Sequence, residues 1–198
     1  MTDDDLLAAL RRLYLERERG LKERFDRSIP FADTILDNRW SRAERLGFAA
    51  DVSIYDSALV FGDVTVGTET WIGPSVILDG TGGGLKIGSY CSIAAGVHVY
   101  THDTVLWAVS GGKAPRRYAP VAIGDRCHVG AQSIILPGVT IGRKSIVAAN
   151  SLVNRNVPEG CLVGGSPARL IGYVEGEGEN VSIRIDSSLS SLSDHGPV

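Results

Sequence analysis

The side chains best equipped for chemistry gather in one stretch, Val97 to Gly124. His98 and His102 stand four residues apart, Asp103 follows directly, and Trp107 and the Arg116–Arg117 pair come later in the same stretch. A neutral imidazole accepts a proton well near pH 7, because the unperturbed group titrates at about 6.5. A guanidinium meets a carboxylate or phosphate through parallel hydrogen bonds, or stacks on an aromatic ring. Two further groups stand outside the stretch: Asp79, just before the glycines of "DGTGGG", and His128, 26 residues beyond His102. Neighbouring side chains on an extended backbone point apart, which disfavours a direct His102–Asp103 pair. An acid from another segment is the open alternative.

The elements that position these groups announce themselves by period. Aliphatic residues recur every six positions at Ile54, Val60, Val66, Ile72 and Leu78, then at Ile87, Ile93 and Val99, then at Ile123, Val129, Ile135, Ile141, Val147 and Val153. Gly, Ala or Asp often follows, as at Gly67, Gly73, Asp79, Gly88, Ala94, Gly124, Gly130, Gly142 and Ala148, and a small or branched residue such as Thr70, Cys91, Cys127, Ser133 or Ser145 takes the fourth place. That period is neither 3.6 nor 2. It predicts a parallel β-helix in which short strands stack coil on coil, the aliphatic residue points inward, and the corner admits only a small second inward residue. The Gly-rich place is expected to supply permissive turn dihedrals. Cys91 and Cys127 are therefore read as core residues, and Cys161 with them. The register breaks at "DGTGGG", after Val99 and after Val153, and such insertions are expected to be loops, the second the largest.

Flanking segments read differently. Leu6, Leu10, Leu13 and Leu21 sit near helical spacing behind Thr2, a candidate N-cap, with Asp3, Asp4 and Asp5 in the first turn. A second short helix is expected from Asn38, stopped at Gly47. The expected organisation is a helical segment over 1–50, a β-helix over 51–174 with an inserted loop at about 103–120, and an extension and disordered tail over 175–198. Within that extension "EGEGEN" is expected to be a flexible hinge and "VSIRID" to add one strand. With a net charge of −3, no large basic surplus argues for nucleic acid or an anionic membrane as partner. An acidic N-terminus and no apolar run of about eighteen residues predict a protein without membrane insertion. Three unclustered cysteines fit reduced thiols and a cytoplasmic location.

From Ile123 to Gly172, with "ILPGVTIG", the "NSLV…VP" step and the terminal "GGSPARLIG" behind a His-bearing loop, the sequence resembles the hexapeptide-repeat acyltransferases, particularly the sugar acetyltransferase branch with galactoside and maltose acetyltransferases. The resemblance covers about Val52 to Gly172. It implies a left-handed parallel β-helix assembled as a homotrimer, with acetyl-CoA as co-substrate, no metal, and a sugar or nucleotide-sugar acceptor in grooves between subunits. The implied reaction is acetyl transfer to a sugar hydroxyl in bacterial surface polysaccharide biosynthesis. N-acetylation of a nucleotide-linked amino sugar is the enzymatic alternative. A noncatalytic solenoid subunit and a γ-type carbonic anhydrase are alternatives of other classes, the latter calling for three metal-binding histidines.

The resemblance also implies roles. His102 takes the place of the general base at the root of the loop, and the Ala131 backbone N–H that of the oxyanion donor. Ala149, Asn154 and Arg155 match contacts to the pantetheine arm, and Arg169 matches a basic residue near the nucleotide end. Asp79 corresponds to an acceptor-binding Asp, and Asp103 and Trp107 are further acceptor candidates. Trp107, Arg116 and Arg117 would stack on a sugar, meet a nucleotide phosphate, or brace the loop. Three departures stand out: His128 where many relatives carry Trp, Gly172 where a second terminal Arg occurs, and "WIGPSVILD" in place of an Asn-rich acceptor stretch.

Overall fold

A computed structural model describes residues 2–31, 33, 38–186 and 188. Short strands, most of them two or three residues long, wind into a three-sided parallel β-helix. One face stacks Ser53–Ile54, Trp71–Ile72, Ser92–Ile93, His128–Val129, Ile146–Val147 and Cys161–Gly164. A second face pairs Leu59 with Ile77, Ile77 with His98, His98 with Ile134 and Ile134 with Leu152. The third runs through Val66, Ile87, Ile123 and Ile141 to a single bridge at Val157. Every hydrogen-bonded pair between these coils is parallel, so the ladder runs along the long axis.

The hexads explain the packing. Ile54, Ile72, Leu78, Ile93, Val99, Val129, Ile135 and Val147 are fully buried and form one column. Truncating one of them to Ala would cost about 2–5 kcal/mol, because the column has no side chain free to fill the gap. At the small inward place the hydroxyls of Thr70, Ser133 and Ser145 donate to the carbonyls of Gly88, Ala148 and Pro158 at 2.8–2.9 Å. Cys91 and Cys127 do the same to Gly124 and Gly142, each at 3.1 Å. A hydrogen bond to Cys91, helped by burial, pushes the Cys127 thiol up, and burial alone pushes up Cys161. All three cysteines are buried packing groups, and the Cys91 and Cys127 thiols meet main-chain acceptors.

The glycine place does something other than expected. Gly67, Gly73, Gly88, Gly124, Gly130 and Gly142 all have ordinary negative or extended φ. The left-handed residue lies two positions later, at Glu69, Ser75, Tyr90, Arg126, Gln132, Lys144 and Asn150, with φ of 56–61°. Glycine is there because the next coil passes too close for a side chain. A Cβ on Gly124 would sit 2.7 Å from the Arg143 nitrogen, and one on Gly130 2.5 Å from the Ala149 nitrogen. Those are backbone atoms, which cannot swing aside.

The insertions also differ in kind. "DGTGGG" is not a loop but the middle of an unbroken strand, Ile77–Ile87, beside the Leu59–Val66 strand with a register shift between Gly62 and Val64. Gly80 and Gly82 leave no room for a side chain, since a Cβ on the first would run into the Asp63 backbone and one on the second into the Thr101 backbone. The break after Val99 is a hairpin: His102–Asp103 pairs antiparallel with Arg117–Tyr118, and the Ala119 N–H closes its neck on the Thr101 carbonyl at 2.8 Å.

At one end, helix α1 (Asp3–Phe25) begins with a capping box in which Thr2 and Asp5 bond reciprocally. Helix α2 (Arg39–Arg45) is capped by the Asn38 side chain and followed by Gly47 at φ 73°. Its Arg42 donates to the Tyr55 and Ala58 carbonyls, and Ala43 and Phe48 close the top of the column. At the other end Arg169–Glu175 and Ser182–Ile185 add antiparallel strands. The expected hinge between them is pinned: Glu177 meets Lys144 at 2.8 Å and Arg126 at 3.1 Å, contacts that hold its carboxyl below the usual range. The tail expected to be disordered falls on residue 187 and residues 189–198, outside the described residues. Among the described residues no helix is long and apolar enough to cross a membrane.

Candidate active site

The neck of the hairpin carries an ion-pair geometry suited to proton transfer. His102 Nδ1 lies 2.8 Å from Asp79 Oδ2, with the Asp79 side chain 5% exposed and that of His102 36% exposed. The other oxygen, Asp79 Oδ1, accepts from the Thr81 N–H at 2.9 Å and the Thr81 hydroxyl at 2.6 Å. The Thr81 oxygen is also 3.1 Å from His102 Nδ1. With its hydroxyl proton on Asp79, Thr81 can only accept from the ring. Both neighbours of Nδ1 are then acceptors, which fixes the neutral imidazole with hydrogen on Nδ1 and a lone pair on Nε2. That is the tautomer a general base needs.

Local sequence dictates this arrangement. Asp79 and Thr81, two apart in "DGT", close the turn-like side-chain-to-main-chain contact that Asp favours. Thr101 is fully buried, donates to the Asp79 carbonyl and accepts from the Gly82 N–H, both at 2.7 Å. It thereby ties the hairpin neck to the glycine-rich strand. Asp79, expected to face an acceptor, instead backs His102 from the neighbouring coil. Asp103 turns away, accepting from the Val105 N–H at 3.1 Å and lying 3.8 Å from the Arg117 guanidinium.

The hairpin tip carries helix α3 (Val105–Val109), whose large side chains are mostly exposed. Trp107 is 41% exposed, and Arg116 stacks over its ring at 5.3 Å. Arg117 donates to the Pro137 carbonyl at 3.1 Å and so braces the hairpin on the next coil. Thr81, Thr101 and Tyr118 were missed by the sequence reading. Tyr118, 58% exposed, places its ring 6.3 Å from that of His102. The "DGT" turn was the available signal for Thr81; nothing marked Tyr118, whose position follows from hairpin pairing alone.

The remaining candidates form two groups. Asn154, Arg155 and Arg169 line one cavity of about 270 Å³ at the end of the column. Asn154 and Arg155 share a corner of the prism with His102, two coils further on. Ala131 and Ala149 occupy the corner at the other end of the second face, and the Asn150 N–H bonds the Ala131 carbonyl at 2.9 Å. A single chain therefore does not bring Ala131 and His102 together. His98 sits on the second face, 3.3 Å from the Tyr100 hydroxyl, and His128 is exposed on the first. Among the described residues no three His, Cys, Asp or Glu converge on a common point.

Comparison with known proteins adds to this geometry. Residues 120–155 match the family described as the hexapeptide repeat of succinyl-transferase. The Bacillus subtilis (strain 168) protein YvoF, provisionally named an acetyltransferase, is 36% identical over 87 residues, which are 44% of this chain and 46% of that protein. The 2,3,4,5-tetrahydropyridine-2,6-dicarboxylate N-acetyltransferase of Staphylococcus aureus (strain JH9) is 36% identical over 86 residues, 43% of this chain and 36% of that one. The aligned part thus spans between about a third and a half of these curated relatives. A crystal structure of a hexapeptide-repeat acetyltransferase from Vibrio cholerae O1 biovar eltor, complexed with acetyl coenzyme A, superposes with a TM-score of 0.60 at 29% identity, over 85% of this chain and 89% of that one. With its six-residue period and its three-sided parallel coil, the chain carries the hexapeptide-repeat fold and is similar to acetyltransferases built on it.

Proposed function

We propose that the protein transfers an acetyl group from acetyl-CoA to a sugar hydroxyl, with His102 as general base. The observation that carries this reading is the buried Asp79 carboxylate on His102 Nδ1, which leaves Nε2 free to take a proton at the exposed mouth of the hairpin. The acetyl-CoA complex of the Vibrio cholerae relative supports the choice of donor. His102 Nε2 accepts the acceptor hydroxyl proton as the oxygen attacks the thioester carbonyl. A main-chain N–H, assigned to Ala131, meets the oxyanion of the tetrahedral intermediate. As the C–S bond breaks, the imidazolium, held by Asp79, returns its proton to the departing CoA thiolate, and atoms and charge balance.

Asn154, Arg155 and Arg169, gathered on one cavity, are assigned to the CoA end remote from the reacting carbon, where guanidinium groups suit phosphate. Because the Ala131 and His102 corners are separate in one chain, the complete site is assigned to the groove between copies of a homotrimer. Trp107 and Asp103, on the hairpin tip and neck, are assigned to the acceptor side. N-acetylation of an amino sugar is the second reading; the N-acetyltransferase relative supports transfer to nitrogen, though its named acceptor is a dicarboxylate and not a sugar.

The test is purified protein with acetyl-CoA and a panel of hydroxyl and amino sugars, followed by CoA release. Turnover with a hydroxyl acceptor supports the first reading, turnover with amino acceptors alone the second. His102→Ala is expected to lower kcat about 10²–10⁴-fold. Full turnover by that variant would remove the general-base assignment.

A further inference from the structure

Helix α1 has no buried residue, yet it is 23 residues long and amphipathic. One side is occupied: Tyr14 packs its ring 5.6 Å from Phe31, and Glu18 accepts from the Ser28 hydroxyl at 2.9 Å. The side beside it is open, with Leu6 44%, Leu10 36% and Leu13 40% exposed. Helices of this kind gain most of their stability from packing such a face, not from propensity.

The open side follows a strict three-four alternation, Asp3, Leu6, Leu10, Leu13, Arg17, Gly20 and Arg24. That is the spacing of a two-helix seam. Its charge is asymmetric: an acid at the start, leucines in the middle, arginines at the end. Against a parallel copy, Asp3 would face Asp3 and Arg17 would face Arg17. Against an antiparallel copy, Leu10 of each helix meets Leu13 of the other, and Leu6 packs on the Arg17 stem. Asp3 then falls opposite Gly20, the smallest seam residue, between Arg17 and Arg24. Opposed helix dipoles favour the same arrangement.

We propose that α1 is a self-association element, pairing antiparallel with α1 of a second copy through the Leu6, Leu10 and Leu13 seam. The pairing doubles whatever assembly the β-helix forms and places two β-helices at opposite ends of a two-helix strut. Its occupant is a second copy because the seam is complementary to itself only in reverse.

Light scattering of the full chain tests this. Leu10→Asp/Leu13→Asp is expected to halve the molar mass with acetyl transfer unchanged; an unchanged mass, or a threefold fall, overturns the proposal. A second arm guards against simple loss of the helix. Asp3→Arg alone and Arg17→Asp/Arg24→Asp alone should each halve the mass, and an equimolar mixture of the two should restore it, since each then offers the charges the other lacks. Failure of the mixture to recover the doubled mass overturns the antiparallel register.

Discussion

The His102 ring is held by a carboxylate that has no freedom of its own: Thr81 occupies one oxygen of Asp79 with two hydrogen bonds, and Thr101 anchors the Asp79 main chain. The remaining oxygen can point only at Nδ1. Asp79→Asn keeps the shape and removes this one-sidedness. With Thr81 still donating to the amide oxygen, the amide NH₂ is presented to Nδ1, so the neutral ring must carry its hydrogen on Nε2, the wrong nitrogen for a base. The expected outcome is a kcat lowered by about 10²–10⁴-fold with KM for acetyl-CoA unchanged and the melting curve little altered. A variant with near-normal kcat would show that Asp79 only fills space. The sequence disclosed both partners but not the pair. His102 was visible at a register break, and Asp79 before a glycine run, while the contact depends on how many residues the Ile77–Ile87 strand spends turning the corner.

At the scale of the coil, period and tolerance part company. The aliphatic places were legible because a column of inward side chains demands one every six residues, and Ile93, Ile135 and Val147 are all fully buried. The glycine place was legible as small but misread in cause, since sequence shows size and not the distance to the next coil. Gly124→Ala separates the two explanations. If glycine served turn dihedrals, Ala would be strained only by φ, and φ here is ordinary. Because the Cβ would stand 2.7 Å from the Arg143 nitrogen, the coil must part locally, and a loss of about 1–3 kcal/mol is expected. Calorimetry should record a lowered melting temperature for Gly124→Ala. An unchanged value would mean that adjacent coils separate freely. "DGTGGG" follows the same logic: its glycines looked like a loop, yet they let an extended strand press against the Asp63 and Thr101 backbones. The hairpin after Val99, by contrast, was readable as an excursion because no hexad place could absorb its Trp and Arg residues.

At the scale of the whole molecule, the prism geometry separates the proposed base from the proposed oxyanion donor. His102 leaves the second face at one corner, while Ala131 stands at the corner where that face begins. One face of six residues separates them, roughly 15–20 Å at about 3.3 Å per residue, far beyond the reach of one tetrahedral intermediate. The second face itself is suited to contact, since Leu59 is 49% and Ile134 36% exposed in a ladder that also holds Ile77 and Leu152. If the site lies between copies, a chain without the base and a chain without the oxyanion donor are each inactive but complement one another. His102→Ala removes the first, and Ala131→Pro removes the N–H without adding a charge. Each variant alone should show little CoA release. After joint unfolding and refolding at equal amounts, about a quarter of the sites in random cyclic trimers receive both intact groups, so activity should return to about a quarter of the unsubstituted level. Light scattering of each variant before mixing checks that assembly survives the substitution. Recovery near that fraction requires the two groups to come from different chains. No recovery, from variants that assemble normally, would mean that the donor and the base serve the same chain and that the oxyanion is met by some N–H on the His102 corner.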